Sequence, residues 1–183
     1  MKSLQLTSPH IIAMVGNLGA GKTQFANEFA KMFKAPKLEY SRLEALIGDA
    51  KSAAELNQDL LDEFLKTGKT IVFDGPTNKR ILRAELVKKA RQNGYKVLFV
   101  WVQTDEATAK ARWMKKHHHD ATIYEQELKR FSQPHETENY VVISGRHTYS
   151  TQARTVLRRL TEGRASSNPV VPNRRTVGRL TVE

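Results

Sequence analysis

One segment limits what this chain can fold into more than any other. Residues 16–23 read Gly-Asn-Leu-Gly-Ala-Gly-Lys-Thr and match the pattern G-x-x-x-x-G-K-S/T in full. The segment follows the apolar run His10–Val15 and precedes a stretch with helical periodicity. Glycines let the backbone turn sharply, so that several N–H groups and the start of a helix face one anion. We therefore expect a phosphate-binding loop between a buried strand and a helix.

Every position of this loop has an expected role in holding a nucleoside triphosphate. Lys22 is expected to bring a mobile positive charge to the β- and γ-phosphates, and the Thr23 hydroxyl to be a ligand of Mg²⁺. The residues expected to surround the phosphates are Gly16, Asn17, Leu18, Gly19, Ala20, Gly21, Lys22 and Thr23. ATP is favoured over GTP because the chain lacks the guanine-reading pattern N-K-x-D. The predicted cofactors are therefore ATP and Mg²⁺.

Apolar strands alternate with amphipathic helices up to Gly163. The predicted strands are 10–15, 70–73, 96–102 and 140–143, and the predicted helices are 22–33, 52–66, 79–92, 105–114, 122–131 and 150–160. Ser52, with Glu55 three residues on, is the expected N-cap of the second helix, whose core-facing stripe would include Leu56. Near-continuous apolar strands between helices indicate a parallel sheet covered on both faces. The expected fold is an α/β P-loop NTPase three-layer sandwich with a central parallel sheet, nucleotide-kinase-like.

Length and composition fit a single soluble domain. The chain has 183 residues and no cysteine, which excludes disulfides, thiolate zinc sites and cysteine nucleophiles. It shows no apolar segment of signal-peptide or membrane-spanning length, so we expect a cytoplasmic protein without a membrane partner. Residues 1–162 are expected to form the domain, and residues 163–183 a basic, flexible tail. Composition does not predict the oligomeric state.

The charge of the chain is strongly positive and unevenly distributed. Thirty basic and 19 acidic residues give a net charge of +11, and from Arg146 onward eight arginines face only two glutamates. Such an imbalance favours a polyanionic partner, nucleic acid above all. A generally basic proteome or a solvated tail would give the same composition, so charge alone leaves both interpretations open.

An aspartate ends the second predicted strand. Asp74 follows Thr70–Phe73 and precedes the turn Gly75-Pro76. In a parallel sheet such a residue lies at the carboxyl edge, where ligands bind. Its carboxylate is expected to hold Mg²⁺ or to accept a proton from an attacking hydroxyl, although aspartate also starts ordinary turns.

The segment after this strand narrows the class of protein. Phe73-Asp-Gly-Pro-Thr-Asn78 is followed by Arg80 and Arg83 on the next predicted helix. Together with the phosphate loop, this resembles the small P-loop kinases, in particular the 5′-hydroxyl polynucleotide kinases, over residues 10–130. The resemblance implies transfer of the γ-phosphate of ATP to a hydroxyl group, with Arg42, Asn78 and Arg83 near the acceptor.

The chain departs from that family at the expected catalytic base. The family has an S/N-R-D-D segment after its second strand, and the corresponding residues here are Ser41-Arg42-Leu43-Glu44. Leu43 therefore occupies the position where the family has its catalytic aspartate. The resemblance leaves Glu44, Glu39 or Asp74 as the candidate base.

A basic stretch lies where small kinases close a lid over the triphosphate. The family's lid reads R-N-x-x-R, and this chain has Arg112-Trp-Met-Lys-Lys116 within a predicted lid near residues 112–131. Arg112 and Lys116 are expected to neutralise charge on the transferred phosphoryl group, although cations also suit the end of an ordinary helix. The run His117–His119 would hold zinc, contact phosphate or face solvent; adjacent histidines seldom face one ion, which favours solvent.

Arginines continue beyond the last predicted strand. Arg146 is expected to stack on the nucleotide base, or else to belong to a simple strand-to-helix turn. Arg154, Arg158 and Arg159 have helical spacing and would form either a phosphate-binding stripe or a solvated surface.

Three functions are compatible with these features. The first is a phosphotransferase that uses ATP and a hydroxyl acceptor, with a polynucleotide 5′-hydroxyl as the leading candidate. The second is a kinase for a small metabolite such as a nucleoside or a sugar. The third is a nucleotide-dependent RNA-binding or assembly factor that hydrolyses ATP slowly and uses the tail as an arm, which Leu43 at the aspartate position keeps open.

Overall fold

A five-stranded parallel sheet forms the centre of the protein. In the computed structural model, which describes residues 6–117 and 121–165, its strands are β1 (His10–Val15), β2 (Lys37–Glu39), β3 (Ile71–Asp74), β4 (Lys96–Gln103) and β5 (Tyr140–Ser144). They lie in the order β2-β3-β1-β4-β5, and every neighbouring pair is parallel. The expected α/β fold with a central parallel sheet is confirmed.

Helices cover both faces of this sheet. They are α1 (Lys22–Phe33), α2 (Tyr40–Ile47), α3 (Ala50–Lys66), α4 (Arg80–Gln92), α5 (Glu106–His117), α6 (Ala121–Arg130) and α7 (Tyr149–Ala165). Ile12 and Met14 of β1 pack with α1 and α7, whereas Ile11 and Val15 pack with α3 and α4. The alternation arises because successive side chains of a strand point to opposite faces. None of the described helices has the length and apolar composition needed to cross a membrane.

The strand β2 and the helix α2 were not predicted from the sequence. β2 has three residues, of which only Leu38 is buried, so it lacks the apolar run of the other strands. No residue of α2 is fully buried, and its Leu46 is 76% exposed. β2 is instead held by parallel pairing with β3, and α2 by packing against α3. Tertiary neighbours, rather than local pattern, create both elements.

The ends of two helices differ from their predicted positions. Asp49, not Ser52, is the N-cap of α3, because its Oδ2 accepts a hydrogen bond of 2.7 Å from the Ser52 N–H. Leu56 is 38% exposed, so the core-facing stripe of α3 does not include it. The helix α7 runs to Ala165 rather than ending at residue 160. Residues 166–183 of the expected tail lie outside the described residues.

Candidate active site

The phosphate loop occupies the carboxyl end of β1, at the centre of the sheet. It connects β1 to the N-terminus of α1. Gly19 has a φ of +73°, and a Cβ atom there would lie 2.0 Å from the carbonyl oxygen of Ala109 in α5. At Gly16 a Cβ atom would lie 2.6 Å from the carbonyl oxygen of Val102 in β4. Only glycine fits where the loop touches these elements, so the contacts with β4 and α5 fix its shape.

The ammonium group of Lys22 lies inside the loop. Its Nζ donates hydrogen bonds of 2.8 Å to the carbonyl oxygens of Gly16 and Asn17. Burial lowers the pKa of Lys22, and the charge of nearby Asp74 opposes this effect. A partly desolvated cation attracts an anion more strongly than one in water. In the described structure Lys22 lies against the backbone of the loop, and its contact with a phosphate stays a prediction.

Thr23 and Asp74 meet at the carboxyl edge of the sheet. The Thr23 hydroxyl donates a hydrogen bond of 2.5 Å to Oδ2 of Asp74. Burial raises the pKa of Asp74, while the Thr23 hydrogen bond and the charge of Lys22 oppose the rise. A hydroxyl oxygen and a carboxylate oxygen therefore lie side by side, next to the phosphate loop.

These two oxygens suit a hard divalent cation. Mg²⁺ prefers oxygen ligands and is usually bound by one or two protein groups together with waters and substrate phosphates. Within the described residues no cluster of three histidine, aspartate or glutamate side chains would hold a metal ion by itself. Thr23 and Asp74 therefore fit a metal ion that binds together with a triphosphate.

Glu39, which the sequence suggested as one alternative for the base, lies beside Asp74. It is the register partner of Asp74, so two carboxylates end adjacent strands at the same edge. The charge of Glu39 also contributes to the raised pKa of Asp74. The Nζ of Lys37 donates hydrogen bonds to Glu39 and to Asn27 of α1. A three-residue strand gives almost no sequence signal, which is why this pairing was not predicted.

Arg42 and Glu44 are not joined to Glu39 or Asp74 by a hydrogen bond or an ion pair among the described residues. Both belong to α2 and are exposed to solvent. Neither side chain forms a hydrogen bond or an ion pair with any residue that the structure describes. Their roles toward an acceptor stay predictions.

Arg83 is fully buried, contrary to the acceptor-facing position expected for it. Its guanidinium donates to both carboxylate oxygens of Glu138, at 2.7 and 3.0 Å. It also donates to the carbonyl oxygens of Thr77, Ser132 and Gln133, at 2.9, 2.8 and 3.1 Å. These bonds use all five N–H groups of a guanidinium. The structure corrects the expected substrate contact, since no donor remains for one.

We expect Glu138→Gln to destabilise the protein by about 3–5 kcal/mol, because it leaves the buried Arg83 charge without its counter-charge. Burial alone would raise the pKa of Glu138, but hydrogen bonds from Arg83 and the His135 N–H outweigh it and lower the pKa. A carboxylate with a lowered folded-state pKa stabilises the fold above its unfolded-state pKa, and this contribution disappears as the pH falls through the folded-state value. Denaturant unfolding at neutral and at acidic pH measures both effects.

The control for this substitution is Glu63→Gln, which breaks the exposed Lys66–Glu63 pair. We expect it to leave the unfolding midpoint unchanged, because exposed ion pairs contribute little. Equal effects of the two substitutions at neutral pH would contradict the structural role assigned to Glu138.

The turn at Thr77 and Asn78 connects the central strand to the lid region. The Thr77 hydroxyl donates a hydrogen bond of 2.5 Å to the carbonyl oxygen of Met14, just before the phosphate loop. The Asn78 Nδ2 lies 3.4 Å from Oε2 of Glu127 in α6. The backbone carbonyl oxygen of Asn78 accepts a hydrogen bond of 2.8 Å from the Ser132 N–H. The structure brings Asn78 against α6, and its contact with an acceptor stays a prediction.

The lid predicted near residues 112–131 corresponds to α5 and α6, which pack as a pair. Lys110 of α5 forms an ion pair of 2.9 Å with Glu125 of α6. Arg112 is exposed, and its Nη1 lies 3.4 Å from the carbonyl oxygen of Gly145 at the end of β5. The side chain of Lys116 and the residues His118–Asp120 lie outside what the structure describes. Closure of these helices over a nucleotide stays a prediction.

Arg146 lies at the rim of an open cleft of about 620 Å³ beside the phosphate loop. Its Nη2 donates a hydrogen bond of 2.5 Å to Oδ2 of Asp105. Hydrogen bonds from Thr108, and then the interaction with Arg146, lower the pKa of Asp105 to about 2. Arg146 is therefore held by an ion pair in the described structure, and stacking on a nucleotide base stays a prediction.

A phosphate loop after the central strand of a sheet ordered β2-β3-β1-β4-β5 defines an α/β P-loop domain of the nucleotide-kinase-like type. The chain belongs to the AAA domain family, whose model matches residues 11–137. No curated protein matches the chain.

Solved kinase structures share this fold. A gluconokinase from Sinorhizobium meliloti 1021 is 16% identical with a TM-score of 0.62, and the match covers 88% of this chain and 97% of that one. A sugar kinase from Janibacter sp. HTCC2649 is 18% identical with a TM-score of 0.59, covering 88% and 99%. A putative kinase from Chloroflexus aurantiacus j-10-fl is 12% identical with a TM-score of 0.67, covering 84% and 99%. At these identities the likeness establishes the fold.

Proposed function

We propose that the protein is an ATP-dependent phosphotransferase that moves the γ-phosphoryl group to a hydroxyl group of a small molecule. The observation that carries the proposal is the 2.5 Å contact between Thr23 and Asp74 beside the Lys22 ammonium. A phosphate loop by itself indicates nucleotide binding, but oxygen ligands and a buried cation at the same edge supply what phosphoryl transfer needs. The likeness of the fold to a gluconokinase and a sugar kinase is consistent with this proposal.

Lys22, Thr23 and Asp74 have separate tasks in this reaction. Lys22 exchanges its two carbonyl partners for β- and γ-phosphate oxygens, whose charge compensates its burial. Thr23 and Asp74 would hold Mg²⁺, which neutralises phosphate charge when it is bound. The N–H groups of the loop and of the first turn of α1 orient the γ-phosphate for in-line attack.

The transfer needs a group that orients the acceptor and takes its proton. The acceptor oxygen forms a bond to the γ-phosphorus while the bond from that phosphorus to the β,γ-bridging oxygen breaks, and the hydroxyl proton passes to a carboxylate. Asp74 is assigned with Thr23 to the metal ion, so we assign the proton to Glu39, its register partner on β2, which forms an ion pair with Lys37 in the described structure. Asp74 then serves the metal and Glu39 serves the acceptor, while Glu44 stands on the exposed surface of α2.

We expect Glu39→Gln to lower kcat by at least about 10²-fold, the lower end of what a general base contributes, and Glu44→Gln to leave kcat unchanged. The two substitutions make the same chemical change and separate the two candidate bases. Initial rates at saturating ATP and acceptor measure the difference. If Glu44→Gln is the slower variant, the base lies on α2 and the assignment to Glu39 is wrong.

A polynucleotide 5′-hydroxyl is the second candidate acceptor. The net charge of +11 favours it. Within the expected arginine stripe of α7, however, Arg158 is paired with Glu162 at 3.6 Å, and Arg159 donates to Asn139 Oδ1 at 3.1 Å. A polyanionic acceptor would bind with a steep salt dependence, because each neutralised phosphate releases counterions.

Incubation with γ-labelled ATP and Mg²⁺ tests both candidates. The acceptors are 5′-hydroxyl DNA and RNA oligonucleotides on one side, and nucleosides and sugars on the other. Label on a small molecule, with an acceptor KM that is insensitive to salt, is the result we expect. Label on oligonucleotide ends would establish the second candidate, and release of free phosphate alone would refute phosphotransfer.

A further inference from the structure

A row of three side chains connects the helix of the phosphate loop to the candidate base. Asn27 lies one helical turn after Thr23 on α1, so both residues lie on the same side of the helix that begins at the loop. The Asn27 Oδ1 accepts a hydrogen bond from Nζ of Lys37 in β2. The same ammonium group donates to Oε2 of Glu39. Asn27, Lys37 and Glu39 therefore link α1 to the carboxyl end of β2.

The two carboxylate oxygens of Glu39 have different partners. Oε2 is held by the Lys37 ammonium in an ion pair. Oε1 is contacted by the Ser41 hydroxyl at 3.4 Å, a distance beyond that of a good hydrogen bond. An acceptor hydroxyl can therefore donate to Oε1 while the ion pair at Oε2 stays intact, which reconciles the ion pair with the role of a base.

The start of α2 does not determine the direction of this carboxylate. Glu39 is the N-cap residue of α2, and its side chain forms no capping hydrogen bond. Side-chain oxygens at an N-cap commonly accept a hydrogen bond from a backbone N–H of the first helical turn. The contact with Lys37 is therefore the strong contact that orients the Glu39 carboxylate among the described residues.

The ion pair is partly buried and lies beside a second carboxylate. The side chains of Lys37 and Glu39 are 20% and 17% exposed, so water screens the pair less than it screens a surface pair. Burial has the largest effect on the pKa of Asp74 and raises it; the charge of Glu39 raises it further, and the charge of Lys37 lowers it. Lys37 therefore offsets the repulsion between the two carboxylates that end adjacent strands.

We propose that Lys37 and Asn27 are positioning residues, which hold the Glu39 carboxylate at a fixed place relative to the phosphate loop and leave its Oε1 free for the acceptor hydroxyl. The inference rests on the proposed function, in which Glu39 takes the proton. Both residues act through Glu39 and make no contact with the reacting atoms. Because α1 carries Thr23 as well as Asn27, one helix supports both the phosphate site and the base.

Lys37→Met tests the ammonium group, because it keeps an unbranched side chain and removes the charge. We expect kcat to fall about 10- to 100-fold, since a displacement of about 1 Å at a reacting group has an effect of this size. The KM for ATP should stay unchanged, because the hydrogen bonds of Lys37 go to Asn27 and Glu39 and not to the phosphate loop. Lys31→Met, at an exposed position on α1, is the matched control and should leave both constants unchanged.

The conservative variant Lys37→Arg separates positioning from a general loss of structure. A guanidinium has enough N–H groups to donate to both Asn27 and Glu39, so kcat should return to within about 5-fold of the wild-type value. Initial rates at saturating ATP and acceptor measure the recovery. A Lys37→Arg variant as slow as Lys37→Met would contradict the proposed contacts.

Substitutions of Asn27 test the other end of the link without disturbing the core, because this side chain is exposed. Asn27→Ala removes the oxygen that holds Lys37 and should lower kcat about 3- to 10-fold, less than Lys37→Met, since the ion pair with Glu39 remains. Asn27→Asp keeps an oxygen acceptor and should retain a kcat within about 3-fold of the wild type. Equal rates for Asn27→Ala and the wild type would remove Asn27 from the proposal.

The double variant Lys37→Met/Glu39→Gln determines whether Lys37 acts through Glu39. Residues that act as a unit have non-additive effects, so its kcat should lie within about 2-fold of that of Glu39→Gln alone. Losses that multiply would show that Lys37 acts independently of Glu39, and would overturn the inference. A slow Glu39→Gln together with an unchanged or faster Lys37→Met would overturn it as well.

The same rates distinguish failure of this inference from failure of the proposed function. If the wild-type protein labels an acceptor and Glu39→Gln is slow, the proposed function holds and the Lys37 variants decide the inference alone. If Glu39→Gln is as fast as the wild type, the base is another group, and the positioning role falls while phosphotransfer stands. Absence of label on every acceptor would overturn the proposed function, and the positioning role with it.

Discussion

Lys22→Ala is expected to lower kcat/KM for phosphotransfer by at least about 10³-fold. The side chain brings the buried cation that meets the β- and γ-phosphates, and charge on those oxygens increases during transfer. Removing one preorganised donor from such a site commonly costs about 10²–10³-fold, and Lys22 provides full charge in addition to its hydrogen bonds. Steady-state rates with γ-labelled ATP measure the loss.

The stability of the Lys22→Ala variant separates a catalytic loss from misfolding. Burial lowers the pKa of Lys22, so its charged form lowers the free energy of unfolding at neutral pH. This destabilising effect is relieved only as the pH rises through the folded-state pKa of Lys22. Removing the ammonium group therefore should not lower the unfolding temperature. Lys31→Ala, at an exposed position on the same helix, is the matched control and should retain full activity. Unimpaired transfer by Lys22→Ala would refute the assignment of the loop.

Asp74→Asn is expected to lower kcat by about 10³-fold and to move the Mg²⁺ dependence of the rate to higher concentrations. The substitution preserves shape and leaves an oxygen to accept the Thr23 hydrogen bond, but it removes the negative charge that a divalent cation requires. A Mg²⁺ titration of initial rates measures both quantities. Asp62→Asn, in the exposed ion pair with Lys89, is the control and should have no effect.

The pH dependence of kcat/KM tests the role of Asp74 independently. Burial raises its pKa above the ordinary value of 3.8, so the carboxylate becomes protonated, and unable to bind a metal ion, at a higher pH than a solvent-exposed aspartate. We expect an acidic limb in the profile of kcat/KM that lies above pH 3.8 and is absent from Asp74→Asn. If the acidic limb lies at the same pH in the wild-type protein and in Asp74→Asn, a group other than Asp74 causes it.

The sequence was sufficient to predict the elements around the candidate site that are encoded locally. The phosphate loop is one contiguous motif, and the structure confirms the predicted bounds of its flanking strand β1 and helix α1. Asp74 was singled out because it ends a strongly apolar strand, and the roles of Lys22, Thr23 and Asp74 stay predictions. The position of Glu39 beside Asp74 was not predictable in this way, because its strand is short and only pairing with β3 brings the two residues together.

Arg83 shows why buried charge is hard to predict from sequence. Its position on the helix after Asn78 suggested an acceptor contact, and nothing nearby in the sequence indicates the partner. Glu138 lies 55 residues further along the chain, and only the folded sheet brings the two together. The cleft is likewise assembled from the loop, two strand ends and α6, so no single motif describes it.

The burial of Lys22 and Asp74 also bears on how long the protein survives in a cell. Burial lowers the pKa of Lys22 and raises the pKa of Asp74, so in the nucleotide-free protein the charged form of each group is disfavoured. A metal–nucleotide complex supplies the missing counter-charges and stabilises the bound form, by about 2.7 kcal/mol at 100 times its Kd. Limited proteolysis with and without ATP and Mg²⁺ measures this protection, and equal digestion rates would contradict it. If the protein binds ATP as proposed, we expect its empty form to be degraded faster than the bound form, so that its abundance would follow the ATP level of the cell.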